Sequence, residues 1–240
     1  MVTRGGGPVV ELAGGARFAW TGRSDGDMRS CAPGLQEARR RVADLPWSTF
    51  RQVHGTRVAV VGATGALDSR EGTCQEQAAD TAADTAADAA VLRGPGRAVA
   101  MLCADCPPIG LASPEGVLAV VHAGWRGLLA GVLEETVAVM RSLGATSVEA
   151  VLGPCIRAEC YAFGEAELEV MERRFGASVR ATDKHGSPAL DLPVGVQRAL
   201  GAADAELVVD SGLCTACSDQ HWSWRARQDR QRQAIVGWFE

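Results

Sequence analysis

Lysine is almost missing from this chain of 240 residues: Lys184 is the only one, so the basic side chains are nearly all arginine. With the excess of alanine and glycine, that points to a GC-rich genome and says little about chemistry. Cations do not predominate either. The formal net charge is −5 and the sequence pI near 5.5. That balance argues against the basic face a phosphate-backbone binder usually carries, so nucleic acid is not an expected partner. No run approaches the roughly 20 apolar residues that cross a bilayer, and no membrane partner is expected. The opening stretch has a lone Arg4 but lacks the long apolar run of a secretory signal, so a cytoplasmic location is expected. Histidine is scarce too, at His54, His122, His185 and His221.

What remains is an ordinary globular composition, with 47% hydrophobic and 22% charged residues. Eight cysteines stand out, at positions 31, 74, 103, 106, 155, 160, 214 and 217. A chain this long does not need disulfide staples to hold a core, which makes metal binding or a reactive thiol the better default.

Short strands are expected at Val9–Leu12 and 17–20, then a helix over 34–45 with apolar residues at helical spacing. Residues 50–61 are rich in valine and read as a strand turned near His54-Gly55. The run 78–90 repeats Ala-Ala-Asp-Thr and places Asp80, Asp84 and Asp88 four apart, which reads as an alanine-rich loop or helix with one acidic stripe; three aspartates could bind a hard cation, but calcium loops also need glycine and carbonyl ligands at defined spacing. Strands are expected at 98–102 and 117–121, with a Pro- and Gly-containing connection over 106–116. A helix over 128–143 ends at Gly144. A strand at 148–152, helices at Glu165–Phe175 and around 193–200, and strands at 207–209, 222–224 and 234–239 complete the chain. Helices and strands alternate without a break in composition. The expectation is one α/β domain spanning 1–240, a layered sandwich of mixed sheets flanked by helices.

His54 and His122 sit beside glycines at strand boundaries, in Gln52-Val53-His54-Gly55 and Val121-His122-Ala123-Gly124, and Cys106 follows an apolar strand in Cys103-Ala104-Asp105-Cys106-Pro107. Strand ends bordering such loops present side chains to a cleft. Two imidazoles and a thiolate suit zinc, and three protein ligands leave a fourth position open, as in catalytic sites. Spacing alone leaves a structural role for each histidine open.

The surrounding blocks carry a resemblance. Ala104-Asp105-Cys106-Pro107-Pro108, followed by His122-Ala123-Gly124-Trp125-Arg126-Gly127-Leu128, resembles the signature of the laccase-domain family, also called multicopper polyphenol oxidases and now understood as purine nucleoside phosphorylases and deaminases. Gly153-Pro154-Cys155-Ile156, Cys160-Tyr161, Cys214-Thr215-Ala216-Cys217 and Ser223-Trp224-Arg225 follow in consistent order. The resemblance implies an α/β sandwich, a catalytic zinc on His54, Cys106 and His122, and purine nucleosides with phosphate as substrates. It implies phosphorolysis at the N-glycosidic bond and hydrolytic deamination of adenosine. The older copper label fits poorly, because an oxidase relay would need more imidazoles than four. The segment 21–27 and the run Arg225-Ala226-Arg227 depart from the family pattern.

Phosphate needs cationic donors, and arginine's planar fork suits its oxygens. Arg126 leads, four residues after His122, with Arg225 and Arg51 next. A helix-capping or ion-pairing role is the alternative for Arg126. Asp105 is expected to hydrogen-bond its own loop rather than shuttle protons. A metal-free hydrolase or deamidase, with Cys106 as nucleophile, His122 as base and His54 orienting it, is a competing reading; a non-catalytic metal-binding or nucleoside-sensing module is another. The two C-x-x-C pairs, 103/106 and 214/217, could form a Cys₄ zinc site, or Cys214 and Cys217 could meet Cys155 or Cys160, while buried thiols packing as small hydrophobes are the plainer expectation. No obligate protein partner is evident.

Overall fold

A computed structural model describes residues 8–62 and 85–240. Two mixed sheets face one another. The first has the order Val9–Leu12, Ala16–Trp20, Gln233–Phe239, Ala98–Cys103 and Trp47–Ser48. The second runs Glu206–Asp210, Glu149–Leu152, Pro108–Ser113, Val117–His122, Ala89–Arg93 and Val58–Val61. The first four strands of the five-stranded sheet pair antiparallel and Trp47–Ser48 joins parallel, while parallel pairs close both ends of the six-stranded sheet.

Alternation along each strand explains the layering. From the first sheet, Phe18, Val99, Met101 and Ile235 point inward to meet Leu92, Leu118, Val120 and Val151 of the second. Phe18 is wholly buried between the sheets, and a cavity left by truncating such a ring costs about 3–5 kcal/mol. The opposite face of the six-stranded sheet packs Val91, Leu111 and Ala119 against the helices Val132–Ser142, Glu165–Phe175 and Leu192–Ala202. The outer face of the five-stranded sheet is covered by the helix Leu35–Val42 through Leu35 and Ala38. The layered α/β sandwich expected from the sequence is therefore the fold observed. Among the described residues no helix is long and apolar enough to cross a membrane.

Several local expectations change. The connection over 106–116 contains a central strand, Pro108–Ser113, paired on both sides. Proline heads it, where a missing N–H is tolerated, and Gly110 lies flat against the Phe18 ring, where a Cβ would come within 2.5 Å of Cδ1. The turn-like residues thus serve close packing. Within 78–90, Asp80 and Asp84 lie outside the described residues, whereas Asp88 leads directly into the strand Ala89–Arg93. The expected helix 128–143 is two helices, Trp125–Ala130 and Val132–Ser142, broken at Gly131 with φ of +97°. Residues 222–224 form no strand: the Ser223 side chain accepts the Ala226 amide and caps a short helix, Trp224–Arg227. Cys31 is disulfide-bonded, against the default drawn from the cysteine count, while Cys103, Cys106, Cys155, Cys160, Cys214 and Cys217 are free thiols.

Candidate metal centre

His122 is the last residue of a fully buried strand, Val117–His122, whose neighbour across the ladder is Pro108. Cys106 lies in the short turn that carries the chain from Ala98–Cys103 in one sheet to Pro108–Ser113 in the other. That turn is held by the Ala123 amide donating to the Pro107 carbonyl at 2.9 Å. His54 occupies the bend before Val58–Val61 and adopts φ of +59°, which non-glycine residues seldom take. Three distant segments therefore meet at one end of the strands of the second sheet. The donor atoms of His54, Cys106 and His122 all lie within 4.8 Å of one another. Cys106 Sγ is 3.9 Å from His54 Nε2, and the two imidazoles meet edge to face with centroids 4.8 Å apart.

Asp88 builds this geometry. Its carboxylate is completely buried and accepts four hydrogen bonds: the amides of Val53 (3.1 Å), His54 (2.9 Å) and Gly55 (2.8 Å), and His122 Nδ1 (2.9 Å). Burial alone would push the carboxyl up, but His122 and the surrounding amides hold it below its ordinary value. One anion thus clamps the strained His54 bend and fixes the His122 ring with its proton on Nδ1, leaving Nε2 as the donor atom. In the sequence Asp88 reads as part of an acidic stripe with Asp80 and Asp84, not as a partner of His122. The available signal was an aspartate directly preceding the apolar run Ala89-Ala90-Val91-Leu92, a charge entering a buried strand.

Gly124 completes the cradle. A Cβ there would lie 2.6 Å from His54 Cδ2 and 3.2 Å from Cys106 Sγ, so any side chain would displace the donor set. Burial tends to raise the Cys106 thiol, but the imidazoles of His122 and His54 outweigh it and bring it down to about 6. Burial likewise disfavours a charged His122, yet Cys106 and Asp88 prevail and carry it up to about 9. The centre favours a thiolate, the form that ligates metals. It is also accessible, since His54 is exposed and Cys106 half-buried while His122 is buried.

The donor chemistry fits zinc: two imidazole nitrogens, one sulfur held as thiolate, a carboxylate orienting one ring, and an open side. His185 and His221 belong to neither cluster of possible ligands among the described residues. His221 instead pairs its Nδ1 with Ser218 Oγ at 2.8 Å.

The arginines sit differently. Arg126 is exposed and rests over the Trp125 ring, 4.4 Å from its centroid. Arg225 lies over Tyr161 at 4.7 Å and donates to the Ala162 carbonyl at 3.0 Å. Its amide donates to Asp105 Oδ2 at 2.6 Å, which ties it to the turn bearing Cys106. Arg51 is exposed and joins the fold through its backbone, exchanging bonds with Thr85 and Ala87. Asp105 accepts Thr215 Oγ1 at 2.7 Å with its other oxygen, so this carboxylate braces the loop. Trp125, Phe163 and Tyr161 form a chain of aromatic contacts, with centroids 5.5 and 5.2 Å apart, beneath the two guanidinium groups.

Residues 22–240 match the family described as multi-copper polyphenol oxidoreductase laccase. The chain belongs to that family. Among curated members of similar sequence, a purine nucleoside phosphorylase of Streptomyces coelicolor is 34% identical over 197 residues, covering 80% of this chain and 74% of that protein. A purine nucleoside phosphorylase of Corynebacterium glutamicum is 31% identical over 210 residues, covering 84% and 80%. Solved structures share the fold: the Neisseria meningitidis protein NMB0706 aligns with a TM-score of 0.78 at 24% identity over 97% of this chain and 98% of that one. YlmD from Geobacillus stearothermophilus aligns with a TM-score of 0.75 at 23% identity, over 94% and 93%.

Proposed function

We propose that this laccase-family chain, acting as one domain, is a zinc-dependent purine nucleoside phosphorylase whose metal is held by His54, Cys106 and His122. The observation that carries the reading is the convergence of these donor atoms within 4.8 Å around a buried Asp88, in a chain whose relatives are named purine nucleoside phosphorylases. A zinc ion held by these three residues would supply Lewis acidity toward an oxygen nucleophile.

Phosphorolysis breaks the bond from ribose C1′ to the purine nitrogen and forms one from C1′ to a phosphate oxygen, while the departing base takes up a proton. In this reading Arg126 and Arg225 bind the phosphate. Both guanidinium groups lie over aromatic rings, which leaves their outer N–H donors for an anion. Arg51, exposed three residues before His54, is a further anion contact at the rim. The aromatic cluster of Trp125, Phe163 and Tyr161, its rings edge to face and tilted, offers an apolar surface for the purine.

Phosphorolysis is favoured over adenosine deamination by the state of Asp88, bonded to His122, and of Asp105, which adjoins Cys106. Deamination needs a carboxylate free to shuttle protons. Asp88 already accepts four hydrogen bonds and Asp105 two through its side chain. The zinc-loaded protein incubated with inosine or adenosine, with and without phosphate, tests both: the free base and ribose 1-phosphate, formed only with phosphate, are expected. Inosine arising from adenosine without phosphate would instead identify the deaminase.

A second reading draws on the lowered Cys106 thiol beside His122, a pair also suited to a metal-free hydrolase or deamidase. Metal analysis separates the two. Stoichiometric zinc, lost with activity in His122→Ala, supports the metalloenzyme; turnover by metal-free protein that thiol reagents abolish supports the hydrolase.

A further inference from the structure

A second group of side chains able to ligate a metal surrounds the turn whose Thr215 donates to Asp105. Cys160 ends the turn Ala158–Cys160, and Cys214 and Cys217 flank a tight turn in which the Ser218 amide donates to the Cys214 carbonyl at 3.0 Å. The second turn is tied to Cys155, five residues before Cys160: the Cys155 amide donates to the Leu213 carbonyl at 3.2 Å and its carbonyl accepts the Thr215 amide at 3.0 Å. The side chains of the two turns converge: Cys160 Sγ is 3.3 Å from Cys217 Sγ, which is 3.9 Å from Glu159 Oε1. One donor atom from each of Glu159, Cys160, Cys214 and Cys217 lies within 4.8 Å of every other. A tetrahedral zinc with bonds of about 2.3 Å sets its sulfurs roughly 3.8 Å apart, so only side-chain adjustment separates this group from a coordination shell.

We propose a second metal site here, a structural zinc bound by Cys160, Cys214 and Cys217 with Glu159 as fourth ligand. Three thiolates select a soft divalent ion, and four protein ligands close the shell, which distinguishes this site from the open one at Cys106. Glu159 and Cys217 are exposed and Cys160 half-buried, so the ion has an entry path. As the ion binds, the three thiol protons pass to solvent. Its role is to brace the first centre. Thr215, between the two cysteines of the turn, donates to Asp105 beside Cys106, and Tyr161, which follows Cys160, lies beneath Arg225.

The test uses the full chain purified under reducing, anaerobic conditions, with metal content measured by mass spectrometry. About two zinc equivalents are expected in the wild type, one in Cys106→Ala, one in the Cys160→Ser/Cys217→Ser variant, and none when all three substitutions are combined. Cobalt-loaded Cys106→Ala should show thiolate-to-cobalt charge-transfer absorption, and the added serines should abolish it. If the double serine variant does not fold, Glu159→Gln stands in, with one equivalent expected to pass to a competing chelator at least tenfold more readily. A single wild-type equivalent removed entirely by Cys106→Ala overturns the proposal. So does a Cys160–Cys217 disulfide in peptide maps of metal-replete protein, or undiminished metal retention in every ligand variant.

Discussion

Asp88 Oδ1 lies 2.9 Å from His122 Nδ1 and 2.9 Å from the amide of His54, so one buried oxygen positions two members of the candidate centre. Asp88→Asn is nearly isosteric, yet its amide nitrogen can only donate, and it would face N–H groups that need acceptors. Zinc affinity is expected to fall on the order of 10–100-fold, as for other orienting partners of metal-bound histidine. Global stability should drop by about 1–3 kcal/mol for the unsatisfied buried donors. Chelator competition and denaturant unfolding measure the two losses. Unchanged affinity would show that His122 needs no carboxylate to ligate.

Gly124 predicts a different separation. Its missing Cβ leaves room for His54 Cδ2 at 2.6 Å and Cys106 Sγ at 3.2 Å. In Gly124→Ala the methyl group must displace His54, because the Cys106 turn is fixed between two sheets. Since φ at Gly124 is −59°, alanine carries no backbone strain there. The expected outcome is a protein with unaltered circular dichroism and at least tenfold weaker zinc binding. Full zinc affinity would mean that the His54 bend shifts without cost.

The amount of this site that was legible in the sequence differs residue by residue. His54, Cys106 and His122 stood out because they adjoin glycine and proline at strand ends, and the block from His122 to Leu128 carried a family resemblance. Their convergence depends on a turn that crosses between sheets, which no local pattern encodes. The role of Asp88 was hidden because it ends an alanine–aspartate run whose four-residue spacing imitates a helical stripe. Pro108 and Gly110 hid a central strand because the same residues signal turns and permit close approach. That Cys214 and Cys217 meet Cys160, one of the alternatives their spacing left open, follows from a backbone β-bridge between residues 155 and 214, a pairing across nearly sixty positions. Long, strongly periodic elements such as Glu165–Phe175 were readable from end to end, because one apolar stripe determines them.

Cys106 gives a pH dependence whose sign follows from its neighbours. The imidazoles overcome burial and lower the thiol to about 6, so the reactive thiolate is present above that pH and lost below it. In metal-stripped protein, alkylation of Cys106 by iodoacetamide should rise with a midpoint near 6 rather than near the ordinary value for a thiol. His122→Ala should move that midpoint upward, and bound zinc should suppress labelling at every pH. Peptide mapping of the labelled cysteine provides the measurement. A midpoint that ignores His122→Ala would refute the thiolate–imidazolium pairing.

Arg126 tests the phosphate assignment most directly, because its exposed guanidinium is supported by stacking on Trp125 and can be removed with little effect on the core. Stability of Arg126→Ala should stay within about 0.5 kcal/mol of the parent, as for most surface substitutions. A hydrogen bond to a charged group contributes about 1.5–3 kcal/mol, so the KM for phosphate should rise roughly ten- to a hundredfold. The KM for inosine should barely change. Arg126→Lys should recover only part of the loss, since a point charge cannot reproduce the two-pronged contact. Steady-state phosphorolysis at varied phosphate with inosine saturating, and then the reverse, resolves the two constants. A rise confined to the nucleoside constant would move Arg126 from the anion to the purine, and leave Arg225, anchored by Asp105 beside Cys106, as the phosphate ligand.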